Sequence, residues 1–186
     1  MTLHVIAPGA ETEWIVVPRD LQQASNRVMQ RWSSTAARSV LPRRLFKQHP
    51  KQFMVQASLA AAARTVGDDR QLYVLREALP DSFLSVELHW VPLGDDHERT
   101  LRELAQPSLK LVEVQPAAAT DEPAVTTGPR FVADLLRDHK PHGHIIAFAL
   151  GALAVSVLVD LQPRSEERIR SSLDRLLSSL TVDDRP

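Results

Sequence analysis

The chain has 186 residues, 24% of them charged and 44% hydrophobic, a net charge of −1 and no cysteine. That length suits a single domain able to bury on the order of 70% of its unfolded surface, and the missing thiols exclude disulfides, thiolate nucleophiles and Cys-based zinc sites. The near-neutral total hides a split: from residue 14 to 66 nine cations face one acid, Asp20, a net of +8, so the remainder carries −9.

Such a split steers an acidic protein, a nucleic acid or a membrane surface toward one side, or matches two halves of one fold or two copies of it. Arginine outnumbers lysine 18 to 4, a bias that points to a GC-rich genome such as an actinobacterial one. The first thirty residues hold His4, Glu11, Glu13 and Arg19 in place of a basic start and a continuous apolar core. No secretory signal is read there, and the cytoplasm is the expected location.

In chain order, residues 1–18 contain two short apolar runs, LHVIA and WIVVP, separated by Pro8 and Gly9. They predict a hairpin or two edge strands, with Pro18 ending the second. Asp20 is placed to cap a helix whose face is Leu21, Ala24, Val28, Met29 and Trp32, with Arg27 and Arg31 pointing away. From residue 33 to 50 an irregular segment, or helix in short pieces, is expected around Pro42 and Pro50. Its basic residues interleaved with Phe46 form the candidate contact surface, Arg38, Arg43, Arg44, Phe46 and Lys47. Guanidinium and ammonium groups there suit acidic groups of a protein partner, and with a stacking aromatic they also suit phosphates and bases.

Lys51 to Val66 is Ala-rich and helix-forming, ending at Gly67, with Ala57, Ala60, Ala61 and Ala63 as a small face for close packing. A strand follows at QLYVLREAL, then a turn at Pro80 and Asp81 and a second strand, FLSVELHWVPL. There Leu84, Val86, Leu88 and Trp90 form one face and Ser85, Glu87 and His89 the other. Asp95, Asp96, His97 and Glu98 open a short helix, where carboxylates suit the N-terminus; their spacing matches no calcium loop. LKLVEV reads as a strand and residues 115–128 as an exposed flexible loop. Residues 129–140 fit a short helix or a strand, and the strand is preferred because it pairs with His144 to Leu150 across a loop at Pro141-His142-Gly143.

His144 to Leu150 and Leu153 to Leu161 form an apolar hairpin reversing at Leu150-Gly151. Leu153, Val155, Val157, Val159 and Leu161 recur at the strand period, with Ala152, Ala154, Ser156 and Leu158 between them. The charge-free run from Ile145 to Val159 is shorter than the roughly 20 residues of a spanning helix, and Gly151 breaks it. After Pro163, Ser165 caps a closing helix with Glu166 and Glu167 in its first turn and an apolar stripe of Ile169, Leu173, Leu176, Leu177 and Leu180.

Acyl, phosphoryl and dinucleotide signatures of the GxSxG, GxxxxGK[ST] and GxGxxG kinds are absent from the sequence. His139, His142 and His144 are the one cluster with metal-ligand chemistry, three imidazoles able to hold zinc for a metal-dependent hydrolase, yet no HExxH pattern accompanies them. The order of elements predicts one α+β domain over residues 1–186, an antiparallel sheet flanked by N-terminal helices, with a basic helical region at 19–66, and by a C-terminal amphipathic helix. Through HIIAFALGALAVSVLVDLQPRSEERIRSSLDRLLSSL the chain resembles a family of actinobacterial proteins with a PsbP-like α/β/α sandwich. The resemblance implies small non-enzymatic domains that bind protein partners or ligands; separately, no cofactor is expected. The expectation is a non-catalytic interaction or accessory protein whose partner is another protein or a second copy of itself; the alternatives are a nucleic-acid-associated protein using 19–66 and the histidine hydrolase.

Overall fold

The two apolar runs that open the chain do not pair with each other. In the computed structural model, which describes residues 3–41, 51–106, 113–120, 129–160 and 166–183, they enter different sheets of an α+β fold. In chain order the first strands are β1 (His4–Ile6), β2 (Trp14–Val16), β3 (Arg70–Leu75), β4 (Ser85–Pro92) and β5 (Glu113–Val114). They are followed by β6 (Ala118–Thr120), β7 (Arg130–Arg137), β8 (Lys140–Leu150), β9 (Leu153–Asp160) and β10 (Thr181–Asp183). Among the described residues the α-helices are α1 (Asn26–Val40), α2 (Gln52–Ala62), α3 (His97–Leu104) and α4 (Glu166–Ser178). The chain divides into two compact units, Ala10–Ser85 and the combination of Met1–Gly9 with Val86–Pro186.

In the unit Ala10–Ser85, β2 pairs antiparallel with β3, Ile15 opposite Val74. Strand alternation sends Ile15, Val17, Leu72 and Val74 into one cluster, which Met29 and Ala37 of α1 and Val55, Leu59 and Ala63 of the α2 region complete. The polar Gln71 is buried beside it without penalty, because its amide donates to the Val17 carbonyl at 2.6 Å and accepts from Arg19 Nε at 3.0 Å. Arg76 ties the edge of β2 down, its Nε donating to the carbonyls of Glu11 and Trp14.

Asp20 does not cap α1. A 3-10 turn over Arg19–Gln22 intervenes, and the cap is Ser25, whose hydroxyl accepts from the Val28 amide at 3.4 Å. The helix then runs unbroken to Val40, past the point where short pieces were expected. Its hydroxyls do not compete with the backbone helix, since Ser33, Thr35 and Ser39 donate back to the carbonyls of Gln30, Arg31 and Ala36. In α2 the packed face is only partly the expected one: Ala63 is buried and Ala60 half-buried against the core as expected, but Ala57 and Ala61 are exposed, and Val55 and Leu59 are the buried aliphatics of the helix. The larger aliphatics take the core because each removes more apolar surface from water.

In the second unit the sheet order is β4, β9, β8, β7, β5, with β6 also on β7, and β1 pairs antiparallel with β10 in a separate two-stranded sheet. The apolar hairpin forms as expected, Leu150 opposite Leu153. Its two turn residues are Gly151 and Ala152, one position later than expected, because the first central residue needs the positive φ of 59° that Gly151 supplies. Leu153, Val155, Val157 and Val159 are buried, and so are Ala154 and Ser156 on the other face.

Residues 130–137 are strand, as preferred, but the reversal before β8 lies at Asp138-His139, not at Pro141-His142-Gly143. Both residues adopt positive φ, 51° and 60°, the conformation of a type I′ hairpin turn, and Asp and His tolerate it better than most side chains. Pro141 is then absorbed at the start of β8 by a bulge: Leu135 faces Gly143 and Leu136 faces Pro141, which makes His142 the inserted residue.

β4 alternates as predicted, with Leu84, Val86, Leu88 and Trp90 buried and Ser85, Glu87 and His89 half-buried. Asp96 caps α3 by accepting from the Arg99 amide at 3.0 Å. Leu101 and Ala105 pack with Phe131, Leu135, Ile145, Ala147 and Ala154. Leu176 and Leu180 are buried on the α4 stripe and Leu173 and Leu177 half-buried; Ser165 and the side chains of Glu166, Glu167 and Ile169 lie outside the described residues. Within the expected loop at 115–128, Ala118–Thr120 forms β6 by main-chain pairing to β7, and residues 121–128 lie outside the described residues. Among the described residues no helix is long and apolar enough to cross a membrane.

Candidate protein-interaction surface

The histidine cluster does not assemble. His144 Nδ1 stands 2.8 Å from Asp134 Oδ1 on the facing strand, His139 at the exposed turn stands 3.7 Å from Glu113, and His142 sits in the bulge. Each of the first two has its own carboxylate, and among the described residues no three His, Asp or Glu side chains converge on a common point. Glu87 and His89 share the outer face of β4, half-buried.

The basic region fares differently. Arg38, expected as a contact residue, is exposed on α1, while Arg43, Arg44, Phe46 and Lys47 lie outside the described residues. Helical geometry turns each residue about 100° from the last, which brings Arg27, Arg31 and Arg38 onto one narrow stripe. All three are exposed, opposite the buried Met29, Ser33 and Ala37. α1 contains no acid. The contrast with α3 is direct: there Arg99 pairs with Glu103 at 3.1 Å and Arg102 with Glu98 at 2.8 Å, so that helix neutralises its own polar face. Of the other cations in the region, Arg19 bonds Gln71 and Lys51 Nζ pairs with Asp81 at 2.6 Å. Among the described residues no ion pair engages Arg27, Arg31, Arg38 or Arg64.

α2 packs against α1 and adds the apolar part of the surface. Apart from Gln52, Gln56 and Ser58 its residues are all apolar. A helix apolar on every side is ordinarily buried on every side. Here one face is open: Phe53 is 79% and Met54 67% exposed, with exposed Ala57 and Ala61 beside them and exposed Arg64 just past the helix end. Val28 of α1 is a third large apolar side chain in the open, at 51%. Covering Phe53 and Met54 returns about 1.5–3 kcal/mol each, the scale on which anchor residues of an interface act.

Sequence reading singled out the basic segment and did not single out Phe53 and Met54, the two large apolar side chains that α2 leaves exposed. It named only Ala57, Ala60, Ala61 and Ala63 as a packing face, and of these Ala60 and Ala63 do pack. The available signal was the helix itself, where Phe53 and Met54 lie opposite Val55 and Leu59, so that both sets cannot reach one core.

Comparison with known proteins adds no name to this surface: no protein-family model matches the chain, and no curated protein matches it.

Proposed function

We propose that this chain is a non-catalytic cytoplasmic interaction or accessory protein that docks a protein partner through the outward faces of α1 and α2. The observation that carries the reading is the open apolar face of α2, with Phe53 and Met54 at 79% and 67% exposure. Phe, Met and Arg are enriched at protein interfaces, and Lys, Glu and Asp are depleted. The exposed cations Arg27, Arg31, Arg38 and Arg64 fit that composition. The PsbP-like resemblance belongs to the same proposal, since such domains act by binding.

The test is co-purification from the native host, comparing wild type with a Phe53→Ser, Met54→Ser variant and with Asp174→Asn on the exposed side of α4 as control. One defined protein retained by wild type and control, and lost from the double variant, is the expected result. Recovery that is equal in all three, or absent from all three, contradicts the proposal.

A second reading, a nucleic-acid-associated protein using the basic region 19–66, draws on the Arg27, Arg31 and Arg38 stripe alone. It requires affinity for an oligonucleotide that falls steeply with salt. A flat salt response removes it.

A further inference from the structure

We infer that the partner received by the outward face of α2 is an acidic amphipathic α-helix, an inference that rests on the docking role proposed above. The shape comes first. Phe53, Ala57 and Ala61 recur at every fourth position, so they run along one side of a helix about 16 Å long. Arg64 follows on the same side. The row therefore has a large ring at one end, a guanidinium at the other and two methyl groups between them. Interaxial distances between packed helices run from about 8 to 10 Å according to the side chains at the crossing. Alanines at the contact admit the closer approach, with Phe53 and Met54 walling the seat at the N-terminal end.

Charge then selects the flank of the incoming element. The segment from residue 14 to 66 carries a net +8. Its exposed arginines on α1 and at the end of α2 have no carboxylate partner among the described residues. A helix with an apolar stripe at i, i+3, i+4 and i+7 and acids beside that stripe satisfies both features at once, and such a stripe in a groove is a recurrent mode of recognition. Arginine, in contrast to lysine, offers a planar fork that holds a carboxylate by two hydrogen bonds. Nucleic acid leaves the apolar row uncovered, and an anionic bilayer, whose phosphates the same fork also fits, offers no discrete helical stripe to the seat between Phe53 and Arg64.

The experiment is a fluorescence anisotropy titration of the full chain with labelled peptides of about 18 residues, five helical turns. Three share one leucine stripe and differ in flanks of Glu, Gln or Lys; a fourth scrambles the Glu peptide so that the stripe is lost. An oligothymidylate and vesicles of phosphatidylcholine with phosphatidylserine complete the set. The Glu-flanked helix is expected to bind at least about 10-fold more tightly than the Gln-flanked or scrambled peptide, with the Lys-flanked peptide weakest. Phe53→Ser is expected to lower that affinity about 10-fold or more with an unchanged urea midpoint. Met54→Ser reads the same effect should the first variant fold poorly.

Equal binding of the scrambled or Lys-flanked peptide overturns the inference, as does stronger binding of the oligonucleotide or the vesicles. The two proposals fail separately. Host co-purification that still depends on Phe53 and Met54, with all peptides failing, sinks the acidic helix and leaves the docking surface; loss of both results sinks both.

Discussion

Two stretches of this chain are predominantly apolar and free of charge, the β8–β9 hairpin from Ile145 to Val159 and helix α2, and the fold treats them in opposite ways. In β9, Val155 and Val157 on one face and Ala154 and Ser156 on the other are all buried. In α2, Val55 and Leu59 are buried while Phe53 and Met54 face outward. Apolarity alone thus does not separate core from exposed surface. The distinction lies in whether the second face is covered, and among the described residues that of α2 is open beside a stripe of arginines.

Breaking the first member of the pair should have the largest effect. Val157→Asp places a charge where the side chain is fully buried, and a cost above about 4 kcal/mol is expected. Urea denaturation checks it, and a variant with a native midpoint would show that the Val155–Val157 face of the hairpin is not closed. Next comes the inward side of α2: Leu59→Ala should lose about 2–5 kcal/mol, since the side chain is wholly buried and leaves a cavity.

Two local changes sharpen the scale below that. Asp96→Ala removes the α3 cap and should cost about 1 kcal/mol in thermal or chemical unfolding. Gly151→Ala should cost about the same, for a backbone reason alone. An added Cβ meets only Val182 Cγ2 at 3.7 Å, whereas φ of 59° disfavours any side chain. The smallest stability effect belongs to the outward side of α2. Phe53→Ser and Met54→Ser should each stay within about 0.5 kcal/mol of wild type, so any loss of partner binding in these variants reports the surface and not unfolding.

Much of the framework could be read from the residues. The period of two in LSVELHWV fixed the buried face of β4, and the acids at 95–98 marked the start of α3. The change of period after Asp160 announced a closing helix. What escaped were features set by competition at a distance. The turn before β8 was placed at Pro141 and Gly143, the usual turn residues, because nothing local shows that Asp138 and His139 both accept positive φ while a bulge at His142 restores the register. Ser25 displaced Asp20 as the α1 cap because the preceding residues close a 3-10 turn, which the helical period does not reveal.

The candidate surface was legible in charge and illegible in packing. Nine cations against one acid drew attention to residues 14–66. The choice of Val55 and Leu59 over Ala57 and Ala61 depends on the cluster that they share with Ile15, Leu72 and Val74, residues of strands elsewhere in the chain. Phe53 and Met54 become visible as a surface only once that choice has been made.

The most direct test of the docking surface is a scan of a photo-reactive side chain along α2 in the native host. Adducts to one partner protein are expected from positions 54, 57 and 61 on the outward side and not from position 174 on α4. Adducts absent from the outward positions, or formed equally at position 174, would contradict a partner seated on this helix.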